Sequence, residues 1–290
     1  MPNTSKVKIA VIGGTGLENI EGLIDIQQVN IDTPFGKPSD AITIGKLEGV
    51  DMAFLPRHGR GHFISPTELP VRANIYALKS IGVEQIIAVC SCGSFKQEYA
   101  PGHLLIPDQL IDRTRNRINS FFTDGIVGHI GFAEPFCREL SQILYNSAKE
   151  ANAIVHLKGT YVCMEGSAFS TRAESKLYRS WGADIIGMTA LPEAKLAREA
   201  EICYAIIACV TDYDSWWDPG KPVDVATVIR TLNANIDTAK QIIKLAVKKI
   251  PDNPGCNCGN ALDGAIVTAT DKIPTTTKKK LGLLINKYIK

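Results

Sequence analysis

Apolar positions along this chain alternate between two rhythms. Short runs rich in β-branched residues recur at Val7 to Ile12, Ala41 to Lys46, Val50 to Pro56, Gln85 to Ser91, His103 to Pro107, Ile154 to Cys163, Asp184 to Met188 and Ile202 to Asp212. Their length and composition predict strands. Between them, Thr67 to Ile81, Pro135 to Ala151, Ser170 to Trp181 and Val223 to Ile250 carry apolar residues three and four apart, which predicts helices. This alternation predicts an α/β fold: a single domain with a mixed, largely parallel twisted central sheet flanked by helices. No Pro-, Gly- or Ser-rich linker interrupts the pattern before residue 250. The expected organisation is therefore one domain over residues 1–250, with 251–290 as a C-terminal appendage of the same domain. In that appendage Leu281, Leu284, Ile285 and Tyr288 stripe a short helix, which is a docked cap, a subunit contact or a loose end.

Composition narrows the function without naming it. The 290 residues are 45% hydrophobic and 21% charged, ordinary for a globular protein with a sizeable core. With 32 basic and 30 acidic side chains the net charge is +2, so nothing calls for nucleic acid or an anionic membrane. A small-molecule partner is expected. No apolar run approaches the roughly 18 residues of a membrane span and no secretory leader pattern opens the chain, so the reading is cytoplasmic.

Eight cysteines are scattered along the chain, and most are expected to be free and buried. Cys256 and Cys258, one residue apart in a Gly/Pro/Asn-rich stretch, are the exception. A zinc site needs four ligands and no histidine lies nearby, so metal is the weakest reading and no metal site is expected. Two plain loop thiols lead, ahead of a redox pair or a stabilising bridge.

Candidate chemistry gathers where strands end. The first strand runs into Gly13-Gly14-Thr15-Gly16, a turn suited to close backbone approach. A dinucleotide fingerprint fails there, because Asn19 stands where the third glycine belongs and the following segment is too short for a crossover helix. Thr33-Pro34-Phe35-Gly36 instead reads as a turn between antiparallel strands. A Walker loop fails for want of Gly-Lys-Ser/Thr. An oxyanion turn remains. Cationic help comes from Arg57-His58-Gly59-Arg60-Gly61-His62 at another strand end. By composition that loop is ordinary solvated surface; its place at a strand end shifts the reading towards a site. Ser91 beside Cys90 and Thr189 after Met188 complete a set of strand ends fit for inorganic phosphate. Asp212 and Asp214, two apart and followed by Trp216 and Trp217, are metal ligands, turn formers or a semi-buried acid pair with raised pKa.

Five stretches together resemble one family: IGGTG (Ile12 to Gly16), RHGRGH (Arg57 to His62), MEGSAFSTRAES (Met164 to Ser175), GMTALPE (Gly187 to Glu193) and VTDYDSW (Val210 to Trp216). They are similar to the 5′-methylthioadenosine phosphorylases of the trimeric purine nucleoside phosphorylase group, and the likeness spans residues 7 to 250. The resemblance implies phosphorolysis of 5′-methylthioadenosine or adenosine, with inorganic phosphate as co-substrate and no cofactor. It implies a phosphate site at Thr15, Arg57, His58, Cys90, Ser91 and Thr189. It places Met188 against the ribose, and Phe169, His62 and Pro66 towards the 5′ end. Ser170 and Val225 match positions linked to substrate choice, and Asp212 and Asp214 match the pair that grips the purine. A homotrimer or dimer of trimers is implied, and the Cys-x-Cys resembles members from heat-loving archaea. Two departures stand out: Cys90 replaces a hydroxyl residue, and Ser167-Ala168 replaces the usual Pro and bulkier residue. The alternatives are a purine nucleoside phosphorylase preferring adenosine or inosine and a non-catalytic purine nucleoside binder.

Overall fold

The computed structural model describes residues 7–14, 16–217 and 225–289. Its strands and helices open with β1 (Ile9–Gly13), β2 (Leu23–Val29), β3 (Ile42–Leu47), β4 (Val50–Pro56), α1 (Val71–Ser80) and β5 (Gln85–Ser94). They continue with β6 (Leu104–Ile106), β7 (Gln109–Arg113), α2 (Arg138–Glu150), β8 (Val155–Leu157), β9 (Thr160–Met164) and α3 (Arg172–Ser180). The chain then forms β10 (Ile185–Gly187), α4 (Ala190–Glu199), β11 (Cys203–Tyr213), α5 (Val225–Val247) and α6 (Thr275–Ile285).

These strands build one mixed sheet with β4, β1, β5 and β11 in parallel at its centre. Met52, Ile9, Gln85 and Cys203 lie side by side across it, so these strands start level and their carboxyl ends point one way. Antiparallel pairing brings in β2, β3, β6 and β10. The central strands read as continuous apolar runs because both their faces are covered. Along β1, Ala10 and Ile12 face one core while Ile9 and Val11 face the other, as the strand period of two requires. The first core takes Ile75 and Leu78 of α1, Leu196 of α4, and Leu281, Leu284 and Ile285 of α6. The second takes Leu140 and Leu144 of α2 and Ile242 and Ile243 of α5. Of the three expectations for the C-terminal helix, the docked one describes α6. Among the described residues no helix is long and apolar enough to cross a membrane.

Several local expectations shift. The run Ile154 to Cys163 breaks into β8 and β9 because Lys158 takes a φ of 70°, and the two halves then pair with different neighbours. A polar-looking strand, β7, and the helix α4, obscured in the sequence by Pro192, were not expected from periodicity. Strand β5 runs three residues past the predicted Ser91, to Ser94. The helix predicted from Val223 is described from Val225 onwards.

That extra length of β5 shapes the molecule. One edge of β5 is paired by β11 from Gln85 to Ser94. The other edge is paired by β1 only from Gln85 to Ala88, and by β10 only at Gly93 and Ser94. Residues 89–92 are left with an open edge between the end of β1 and the antiparallel β10, and the crevice opens there.

Candidate active site

A cavity of ≈ 620 Å³ occupies the crevice. Arg57, His58, His62, Pro66, Cys90 and Ser91 line it, together with Phe169, Met188, Thr189, Asp212, Asp214 and Val225. Ser170 stands behind the wall and bonds to Asp214. The structure thus brings together every candidate residue except Thr15, which lies outside the described residues. Arg60, the other arginine of its loop, turns away to Asp40 and Thr43.

At the arginine end, the Arg57 backbone N–H bonds to Gly13 O at 2.8 Å, locking the loop after β4 to the end of β1. Its side chain is 2% exposed and well occupied. Nε and Nη2 donate to the two Glu193 oxygens at 2.9 Å, Nη1 donates to Val89 O at 3.0 Å, and Nη2 reaches Ile12 O at 3.3 Å. Burial alone would lower the pKa of the guanidinium, but the Glu193 carboxylate outweighs it and the net shift is upward. The Arg57 charge is thus balanced within the fold by Glu193. Tyr204 also donates to Glu193, at 2.8 Å.

Neutral groups surround that arginine. His58 Nδ1 lies 2.9 Å from the Ile64 carbonyl, which assigns the proton to Nδ1 and leaves Nε2 as an acceptor. Burial and the Arg57 charge push the His58 pKa down to about 4. Its ring stacks on His62 at 4.2 Å. Burial also holds Cys90 as a thiol, pushed up to about 11. The carbonyl of Val89 faces Arg57, and within a strand N–H and C=O of alternate residues share an edge, so the peptide groups of Ser91 point to the same open edge.

The carboxylate end is built by an irregularity in β11. Val210 pairs with Cys92 and Asp212 with Gly93, so Thr211 is an extra residue, a bulge that re-aims the end of the strand. Asp212 accepts from the Thr211 hydroxyl at 2.7 Å, and no cation pairs with it among the described residues. Burial raises its pKa to about 6; the Thr211 bond opposes the rise and the Asp214 charge adds to it. Asp214, 4% exposed, accepts from the Ser170 hydroxyl at 2.6–2.7 Å. Its pKa is raised too, by burial, with the Ser170 bond as the leading opposing influence. Gly93 makes room: a Cβ there would stand 3.1 Å from Asp212 Oδ2 and 3.4 Å from the Asp214 Cβ. The tryptophans brace the wall without lining the cavity. Trp216 Nε1 donates to Ser94 O at 2.7 Å, under the Arg179 guanidinium.

Two supporting residues escaped sequence reading. Glu193 lies within the GMTALPE stretch, yet nothing local marks it as the partner of an arginine 136 positions away. Arg117, in a loop without a motif, donates to Met188 O and Leu191 O at 2.6 Å and to Glu165 O at 2.5 Å. It fixes the segment carrying Met188 and Thr189. Gly187 is required nearby, because any Cβ would fall 1.9 Å from the Tyr161 hydroxyl.

Fold and site together define an α/β enzyme whose crevice joins a buried acid pair to an arginine- and histidine-bearing loop across an apolar middle. Comparison with known proteins places it: residues 8–248 match the phosphorylase superfamily, and the chain belongs to that family. It is 54% identical over 97% of its length to the S-methyl-5′-thioadenosine phosphorylase of Geobacter sulfurreducens, 99% of which is covered. It is 51% identical to that of Thermosynechococcus vestitus, over 97% of this chain and 99% of the relative. Among solved structures, it is similar to a methylthioadenosine phosphorylase from an antarctic soil metagenomic library, with TM-score 0.93, 46% identity, and 97% and 100% of the two chains covered. The Schistosoma mansoni methylthioadenosine phosphorylase solved with adenine has a TM-score of 0.83 at 35% identity, over 92% of this chain and 99% of that one.

Proposed function

We propose that this chain catalyses the reversible phosphorolysis of 5′-methylthioadenosine to adenine and 5-methylthioribose 1-phosphate, a pentosyl transfer that uses inorganic phosphate as co-substrate and no cofactor. The observation that carries this reading is the asymmetric carboxylate pair. Asp212 has a pKa near 6 and a single hydroxyl partner, while Asp214 accepts a Ser170 hydroxyl bond that supports its charged form. Two carboxyl groups in unlike environments divide the roles of acid and acceptor.

The chemistry rests on the groups each end supplies. Asp212, as the acid, donates its proton to N7 of the purine while the C1′–N9 bond breaks and its electrons pass to the base. A phosphate oxygen forms the new bond to C1′, through a transition state with oxocarbenium character. Asp214, ionised, accepts from the 6-amino group; a 6-oxo purine would present a second acceptor and leave the carboxylate unmatched, which discriminates by as much as about 10⁴-fold. At the other end Arg57, Ser91 and Thr189 donate to phosphate beneath the sugar, while His58 Nε2 accepts from the hydroxyl of its protonated oxygen. With the Arg57 charge balanced by Glu193, fixed hydrogen-bond donors carry much of that task. Met188 packs on the ribose, and Phe169, His62, Pro66 and Val225 enclose the methylthio group, favouring it over hydroxyl by a modest ~1–3 kcal/mol.

Phe169 and Val225, on the rim, are 41% and 61% exposed. Apolar side chains so exposed beside a substrate cavity suit cover by a second copy, in keeping with a homotrimer or a dimer of trimers, and the cytoplasm is the compartment we infer. The test is a product assay: adenine and a 1-phosphorylated methylthiopentose form when phosphate is present. Adenine release that continues unchanged without phosphate overturns the reading.

A further inference from the structure

At the opposite end of the sheet four cysteines converge. Cys137 is the residue before α2, Cys203 opens β11, and Cys256 and Cys258 lie in the loop after α5. Their four sulfurs all lie within 4.8 Å of one another. Cys256 Sγ is 3.6 Å from Cys137 Sγ and 3.3 Å from Cys203 Sγ. A disulfide bond is about 2.05 Å long, and one sulfur shared between two such contacts describes a cluster more than a pair. A tetrahedral zinc site with bonds of ~2.3 Å places its sulfurs ~3.8 Å apart.

The backbone holds these residues in position independently of the thiols. The Cys137 N–H donates to Tyr204 O at 2.8 Å and the Cys203 N–H to Glu84 O at 2.9 Å. The Cys256 N–H reaches Glu139 Oε2, within α2, at 3.2 Å. Three of the four cysteines are buried and Cys256 is half-buried, leaving a way in for an ion. The weak metal reading of Cys256-Asn257-Cys258 rested on the lack of further ligands nearby in sequence; folding supplies them from 119 and 53 positions away.

We propose that Cys137, Cys203, Cys256 and Cys258 form a closed tetrahedral thiolate site for a structural zinc ion. Four soft thiolates with no open position suit Zn²⁺ held for stability rather than catalysis. Binding takes Zn²⁺ plus four thiols to a zinc tetrathiolate of charge 2− and four released protons, with no change of oxidation state. Two disulfides from the same thiols would require an oxidant to accept four electrons. The ion ties the 251–290 segment to the start of α2 and of β11. Cys203 and Asp212 lie at opposite ends of β11, roughly 30 Å apart along an extended strand, so the site braces the fold without entering the cavity.

The test uses the full-length chain, purified without chelator and incubated with zinc alone. Elemental analysis should find one zinc per chain, and denaturation in chelator without reductant should release all eight thiols to a thiol reagent. Cys256→Ser with Cys258→Ser should abolish zinc binding and lower Tm by roughly 10 °C, while kcat/KM at 25 °C stays near the parent value. The parent measurements stand even if that variant fails to fold. Protein that binds no zinc after reduction and incubation, or that yields four thiols and not eight, overturns the proposal.

Discussion

The two ends of the cavity treat buried charge in opposite ways. Arg57 is paired bidentately with Glu193 and bonded to two backbone carbonyls, so its ionisation is secured by the fold. Asp212 is given one hydroxyl and a neighbouring carboxyl group, so its charge is poorly supported and its pKa climbs to about 6. The difference teaches where chemistry resides. A saturated pair acts as scaffold and orients its surroundings, whereas a buried group left short of partners is poised to trade a proton.

Asp212→Asn probes that contrast most strongly. Removing the acid should lower kcat/KM for methylthioadenosine by about 10²- to 10⁴-fold. Stability at pH 7.5 should rise by about 1–2 kcal/mol, because the carboxylate that burial disfavours is gone. Urea unfolding checks the second half, and a loss of stability there would contradict the unsupported state of Asp212. Arg57→Ala should behave in the reverse sense, destabilising by about 3–5 kcal/mol because Glu193 is left buried without its cation. Adding Glu193→Gln should recover part of that loss, and a strictly additive double mutant would break the pairing argument.

Ser170→Ala sharpens the division within the acid pair. Loss of a hydroxyl bond to a charged carboxylate costs about 1.5–3 kcal/mol, so kcat/KM for 6-amino nucleosides should fall roughly 10- to 100-fold. Equal losses for adenosine and inosine would remove Asp214 from base recognition. The smallest effect is in stability against pH. The folded Asp212 pKa is raised from 3.8 to about 6, so its contribution is present below pH 3.8 and is lost as pH rises through 6. The folded His58 pKa is lowered from 6.5 to about 4, so its contribution is present above pH 6.5 and is lost as pH falls through 4. Relative to the parent, Asp212→Asn should gain stability as pH rises across this window and His58→Gln should lose it, by about 1–2 kcal/mol each. Denaturation midpoints at a series of pH values decide the signs.

Much of the site was legible because each strand end keeps its chemistry in a few contiguous letters. Arg57 with His58, Ser91, Thr189, and Asp212 with Asp214 follow apolar runs whose period announces the strands, and a parallel sheet delivers those ends to one edge. The features that stayed hidden depend on distance. Nothing around Arg117 signals that it will bind the carbonyls of Met188 and Leu191, and Glu193 reads as an ordinary polar residue after a proline. The bulge at Thr211 changes the aim of Asp212 by an offset against β5 that only pairing reveals. The four thiols repeat the lesson at the far end of β11: two cysteines with one residue between them look incomplete until the fold adds Cys137 and Cys203.

The most direct test of the central claim is the pH dependence of kcat/KM for methylthioadenosine with saturating phosphate, in the parent and in Asp212→Asn. The account predicts that the parent loses kcat/KM as pH rises above about 6, where the free enzyme gives up the Asp212 proton, and that the variant is slow with this limb absent. A variant with the parent's rate and the same limb would contradict it.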